Sequence, residues 1–162
     1  MSGSRGSSRH RAREVALQVL YAIDLIRSRW AVTGAEGCAV DPSDSRRIFG
    51  GVADNFEAPT RAQPFASELV EQVAARGEEL DATIAGQACN WRISRMATVD
   101  RNILRLGTYE LRYTETPSAV VLNEAIELAR RFGSDSSPAF VNGILDAIAR
   151  VVRAEVPREE QT

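Results

Sequence analysis

The feature that most constrains this chain is the spacing of its apolar residues, which runs in steps of three and four along most of its length. Ala16, Val19, Ile23, Ile26 and Trp30, widened by Leu20, lie on one stripe of a helix of period 3.6. Phe65, Leu69 and Val73 form a second stripe, opened by Pro64, which suits a first-turn position. Gly77 separates it from a third, in which Leu80, Ile84 and Ala88 run on as far as Trp91. Met96, Val99, Ile103 and Leu106, with Leu104 and Leu111, give two adjacent stripes, so this helix is expected to be covered on more than one side and to sit at the centre of the core. Thr116-Pro117 reads as an N-cap followed by proline at the first helical position. Val121, Ala125, Leu128 and Phe132 are the expected buried face of that helix, Arg130 and Arg131 complement its C-terminal dipole, and Gly133 reads as a left-handed stop. Ser137-Pro138 repeats the opening signal ahead of Val141, Leu145, Ile148 and Val152. No segment alternates apolar and polar residues between strand-like flanks, and the expected fold is all-α.

Between and beyond these stripes the chain changes character. Residues 1–8 are rich in glycine and serine and read as a mobile head. Residues 31–63 carry many Gly, Pro, Ser and Asp, with at most a helical turn around Ser45–Phe49. A loop of that length is unusual in a compact domain and points to a function or an insertion. Residues 153–162 read as a charged tail, and the length of the chain suits one domain with a core able to fold unaided.

The net charge of -2 hides an uneven distribution. Arg5, Arg9, Arg11, Arg13, Arg27 and Arg29 face only Glu14 and Asp24 within residues 1–30, so a basic head precedes an acidic body. The cluster Arg9-His10-Arg11-Ala12-Arg13 lies where that head enters the first helix. Guanidinium forks suit phosphates, and cations at a helix N-terminus oppose its dipole at a cost of roughly 0.3–1 kcal/mol each. Taken alone, the cluster fits either a nucleic-acid contact or a solubilising tail.

Catalytic groups are sparse. His10 is the sole histidine and lies in the basic head. There is no glycine-rich phosphate cradle or nucleophile elbow, and Glu78-Glu79, being adjacent, point to different helix faces. The reading is a binding module rather than an enzyme, with no cofactor. Cys38 and Cys89 lack a CxxC partner and read as free thiols in a reducing cytoplasm, neither disulfide nor metal site. The apolar stretch Val15–Ile23 is flanked and interrupted by Glu14, Gln18 and Asp24 at helical intervals, so it reads as amphipathic, not as a secretion signal or membrane span. Among the aromatics, Tyr21, Trp30, Trp91, Tyr109, Tyr113 and Phe132 are expected mostly in the core. Phe140 is the open case: it lies in the first turn of its helix beside a Gly/Ser loop, where an exposed ring would stack single-stranded RNA bases. Asn142-Gly143 within a helical pattern fits close helix packing or room for a partner equally well.

Four blocks together carry a family resemblance. Arg9-His10-Arg11-Ala12-Arg13-Glu14 with Ala16-Leu17-Gln18-Val19-Leu20-Tyr21, then Val99-Asp100-Arg101-Asn102-Ile103-Leu104-Arg105-Leu106-Gly107-Thr108-Tyr109-Glu110-Leu111, then Asn123-Glu124-Ala125-Ile126-Glu127-Leu128-Ala129, and finally Phe140-Val141-Asn142-Gly143-Ile144-Leu145-Asp146 resemble the transcription antitermination factor NusB family, in its order and spacing. The resemblance implies two packed three-helix bundles, here 9–90 and 91–152, in a single cytoplasmic domain. It implies binding of the boxA element of ribosomal RNA transcripts together with NusE, a small-subunit ribosomal protein, in a larger complex with other Nus factors and RNA polymerase that suppresses premature termination. It also allows a homodimer. Carried over by position, Arg5, Arg9, His10, Arg11 and Arg13, with Tyr21 and Phe140, are the implied RNA contacts, and Asp100 the implied NusE contact. Ala119, Ser136 and Ala139 depart from the family's usual residues and remove positive charge near the implied RNA path. A self-associating protein module, the accessory domain of an rRNA methyltransferase and a helix-turn-helix regulator are the competing readings. The second needs a fused cofactor domain, and the third needs a helix dense in groove-reading side chains.

Overall fold

The computed structural model describes residues 3–33 and 60–155, with only the backbone path of 3–7 and 29–33. Every regular element among them is helical, as the spacing requires. The elements are α1 (Gly3–Thr33), α2 (Gln63–Ala75), α3 (Gly77–Gln87), a 3-10 turn (Ile93–Arg95), α4 (Thr98–Tyr113), α5 (Ser118–Phe132) and α6 (Ser137–Glu155). Most of the loop expected at 31–63 lies outside the described residues, together with the turn expected at Ser45–Phe49, Cys38, the side chain of Trp30 and the chain beyond Glu155. The chain divides into two compact units, Met1–Gly77 and Glu78–Thr162.

In the first unit α1 packs against α2. Ala12, Val15, Ala16, Val19, Leu20 and Ile23 are buried on α1, and Ala66, Leu69, Val70 and Val73 on α2. α1 begins at Gly3, well before the basic cluster, although the Gly/Ser composition argues for an unstructured head. Propagating a helix already nucleated by a buried stripe costs far less than starting one. At its other end the stripe fails: Ile26, expected in the core, is exposed, as is Leu25. α1 has 31 residues and α2 has 13. At 1.5 Å per residue they span about 46 and 20 Å, so α2 covers only part of α1.

The second unit is organised around α4, which packs on both α5 and α6 while those two pack on each other. Asn102, Ile103, Leu104, Leu106, Gly107, Thr108, Tyr109 and Glu110 are all buried, so α4 is covered around most of its circumference as its double stripe requires. At Gly107 an added Cβ would lie 2.8 Å from Leu145 Cδ1 on α6, and glycine is what lets the two helices approach. α3 buries Leu80 and Ile84 and is tied to α4 by a fork in which Arg105 Nε and Nη2 donate to Asp81 Oδ1 (2.7 Å) and Oδ2 (2.8 Å). Such two-pronged geometry is the strong form of the guanidinium–carboxylate pair.

The helix ends differ in detail from the sequence expectation. Pro117 is the N-cap of α5, not its first helical residue: its ψ of 139° is extended, and its carbonyl accepts from Val120 N–H (3.0 Å) and Val121 N–H (3.1 Å). Thr116 does not cap; its N–H donates to Thr114 Oγ1 at 3.3 Å. Gly133 is not a left-handed stop. Its φ of -93° and ψ of -168° are open to any residue. The glycine is required by space instead, because a Cβ there would meet Ser137 Oγ at 2.5 Å and the Ala129 carbonyl oxygen at 2.8 Å. Ser137 is buried and its Oγ accepts from Ser134 N–H (2.9 Å), closing the α5–α6 turn. Gly143, by contrast, has nothing within 4 Å of the Cβ position among the described residues, so no described helix presses on it.

The two glycines therefore predict opposite outcomes in urea denaturation. Gly133→Ala is expected to lose about 1–3 kcal/mol through crowding against Ser137 and backbone. Gly143→Ala is expected to gain about 0.5–1 kcal/mol through helix propensity alone.

Candidate nucleic-acid interface

The basic cluster is built on the first half of α1 in the first unit. Glu14 is buried, and its two carboxylate oxygens hold the two residues that precede it on the same helical face. His10 Nε2 lies 2.9 Å from Oε1, and Arg11 Nη1 lies 3.4 Å from Oε2. Spacings of four and three residues place all three side chains together. Arg11 remains mostly exposed, so its fork is tethered at one nitrogen and offers the others outward. Arg9 and Arg13, one turn apart, both approach the ring of Phe65 on α2, with guanidinium carbons 5.4 and 5.6 Å from its centroid.

The implied RNA contacts thus fall into separate classes. Arg9 and Arg11 are exposed and His10 half-buried, a cationic surface held by Glu14 and Phe65. Arg13 is only 2% exposed and is part of the packing, so its guanidinium is not presented as a surface contact. The side chain of Arg5 lies outside the described residues. Tyr21, further along α1, is exposed beside exposed Leu25 and Ile26.

The second unit carries Phe140 and Asp100. Phe140 is half-buried in the first turn of α6 and meets Trp91 edge to face, with centroids 5.6 Å apart and planes at 74°. Trp91 was expected in the core and is instead 58% exposed. The α3 stripe that pointed to it does not reach it, since the helix ends at Gln87. Tyr113 is likewise exposed, stacked on buried Tyr109 at 5.7 Å. Asp100, in the first turn of α4, is 8% exposed, and its Oδ1 has no hydrogen-bond partner among the described residues. Ala119, Ser136 and Ala139 are all exposed. Among the described residues no group of three or more His, Cys, Asp or Glu gathers into a metal-binding set, and no helix is long and apolar enough to cross a membrane.

A basic, partly tethered helix face in one unit and an open aromatic pair in the other are the surfaces to be compared with known proteins. Residues 10–150 match the model of the NusB family. The chain belongs to the NusB family. It is 42% identical to the transcription antitermination protein NusB of Geotalea uraniireducens (strain Rf4), over 90% of this chain and 97% of that protein. It is 45% identical to the NusB of Anaeromyxobacter sp. (strain Fw109-5), over 94% and 97%. Among solved structures it is similar to T. maritima NusB, with a TM-score of 0.72, 31% identity and coverage of 88% and 90%. It is also similar to a chain in the crystal structure of antitermination factors NusB and NusE in complex with dsRNA, with a TM-score of 0.69, 27% identity and coverage of 90% and 98%. The NusB match spans His10, Arg11, Arg13, Tyr21, Asp100 and Phe140, whereas Arg5 and Arg9 precede it.

The split between Arg9 and Arg13 is testable in the free protein. Arg13→Ala removes a buried guanidinium from its packing and is expected to cost about 2 kcal/mol or more in chemical denaturation. Arg9→Ala gives up one exposed cation–π contact and is expected to cost no more than about 0.5–1 kcal/mol.

Proposed function

We propose that this chain is an antitermination factor that binds boxA RNA of ribosomal RNA transcripts together with NusE. The observation that carries this reading is the tethered cationic face of α1, where Arg9, His10 and Arg11 are oriented by Phe65 and Glu14. Preorganised guanidiniums lose less side-chain freedom on meeting a phosphate than those on a loose tail do. Phe140 supplies an aromatic surface in the other unit, suited to an unpaired base. The similar chain in the structure of NusB and NusE with dsRNA supports RNA and NusE as the two classes of partner by relationship. Action beside other Nus factors and RNA polymerase, in the cytoplasm, follows from the same role.

Asp100 is the proposed contact for NusE. A buried carboxylate oxygen without a hydrogen bond is costly in the free chain, and a donor from a partner would relieve that cost. A homodimer is a second mode of association, favoured by the exposed apolar side chains of Tyr21, Leu25 and Ile26 on α1. Light scattering with and without RNA separates it from the monomer.

Fluorescence anisotropy with labelled boxA RNA and a scrambled control, with and without NusE, tests the reading. Preference for boxA, strengthened by NusE, is the expected result; equal weak binding to both RNAs, unchanged by NusE, would sink it. Replacing Arg9 and Arg11 by Ala is expected to flatten the log–log salt dependence by about 1.4, at roughly 0.7 per phosphate contact on single strands. Asp100→Ala is expected to weaken NusE binding by about tenfold or more while leaving the affinity for RNA alone unchanged.

A further inference from the structure

The connection between α3 and α4 is short, ordered and exposed, and it carries an unusual combination of side chains. Its ends are anchored by buried Ala88 and buried Met96. Between them Trp91 N–H donates to the Ala88 carbonyl (3.0 Å), Arg95 N–H to the Arg92 carbonyl (2.9 Å) and Met96 N–H to the Ile93 carbonyl (3.2 Å). From α4, Arg101 Nη1 reaches back to the Ile93 carbonyl at 3.1 Å and clamps the turn. The most exposed large apolar side chain among the described residues is Trp91, on this connection. Its indole makes an edge-to-face contact with Phe140, and more than half of its surface stays open. Arg92 and Arg95 are exposed beside it, and the three-residue turn of the 3-10 segment brings them to one side.

We propose that Trp91 is a base-stacking contact for single-stranded RNA, with Arg92 and Arg95 holding the adjoining phosphates. The inference rests on the RNA-binding reading above and adds a segment not among the RNA contacts implied by resemblance. An indole is a large flat surface for a nucleobase, and stacking is indifferent to base identity because every base has a π-face. Guanidiniums flanking an aromatic platform supply the electrostatic half of single-strand binding. The pinned backbone matters here, since a ring already held in place by Phe140 and the turn loses little freedom on stacking. A protein surface would also meet an exposed tryptophan, but paired exposed arginines with no acidic neighbour within Cys89–Arg95 favour a polyanion.

The test uses the full chain, labelled single-stranded boxA RNA and purified NusE. Trp91→Ala is expected to weaken RNA affinity about tenfold, within roughly 5- to 150-fold, and Trp91→Phe to recover most of the loss. Arg92→Ala with Arg95→Ala is expected to reduce the salt slope by about 1.4. Tryptophan emission should change on adding RNA to the wild type, and that change should vanish in Trp91→Phe, a readout independent of whether Trp91→Ala folds well. If Trp91→Ala binds RNA as the wild type does while the Arg9/Arg11 variant is weakened, the Trp91 assignment fails and the RNA reading stands. Absence of RNA binding by the wild type removes both. Loss of NusE binding with unchanged RNA affinity overturns the assignment in favour of a protein contact.

Discussion

The second unit depends on how closely α4 and α6 approach. Gly107 permits it, because any side chain there would press on Leu145, itself fully buried. On the same helix Phe140, in its first turn, is set against Trp91 on the connection leading into α4. The Arg105–Asp81 fork then positions α3, from which the connection departs. The aromatic pair thus sits on elements that core packing holds, and a displacement of α6 in the core would be felt at the pair. Interiors packed at crystal-like density transmit such displacements instead of absorbing them.

The helices were legible because burial on one side imposes a period that survives in the sequence. What the period cannot report is where a helix ends. Trp91 follows Leu80, Ile84 and Ala88 at helical spacing, yet the helix stops at Gln87, and past that point the spacing has no geometric meaning. The same limit explains Ile26, which keeps its place on the α1 stripe while α2 is too short to accompany it. Cap chemistry misled in a related way. Pro117 and Gly133 are where a helix starts and another stops, but the first acts through its carbonyl and the second through lack of a Cβ, neither of which residue type alone discloses.

Arg13 shows the opposite case, a signal present but outvoted by composition. Grouped with Arg9 and Arg11 it reads as one more cation in a basic run. Placed on the helix, it lies a turn before Leu17 and two turns before Leu20, both buried. That position predicts a guanidinium drawn into the packing, and it lies over the ring of Phe65. Arg11 has Val15 a turn later but borders Glu14 three residues on, and stays exposed. Different roles along one run of arginines are what a helix imposes on a segment that a linear reading treats as uniform.

Buried acids sharpen the distinction between structure and site. Glu14 is almost fully enclosed, yet its oxygens meet His10 and Arg11 on its own helix, so its desolvation is offset within the chain and the residue serves to orient its neighbours. Asp100 is enclosed to a similar degree with Oδ1 unmatched. Its place in the first turn of α4 gives it the favourable end of the helix dipole, worth about 0.3–1 kcal/mol, against roughly 1–3 kcal/mol for an unmade hydrogen bond. The dipole therefore does not cover the deficit. Thr108 Oγ1 and Arg112 Nε on the same helix are also buried without a hydrogen bond among the described residues, but Asp100 is the carboxylate among them, and an anion left short of donors is the costliest of the three to leave unmatched.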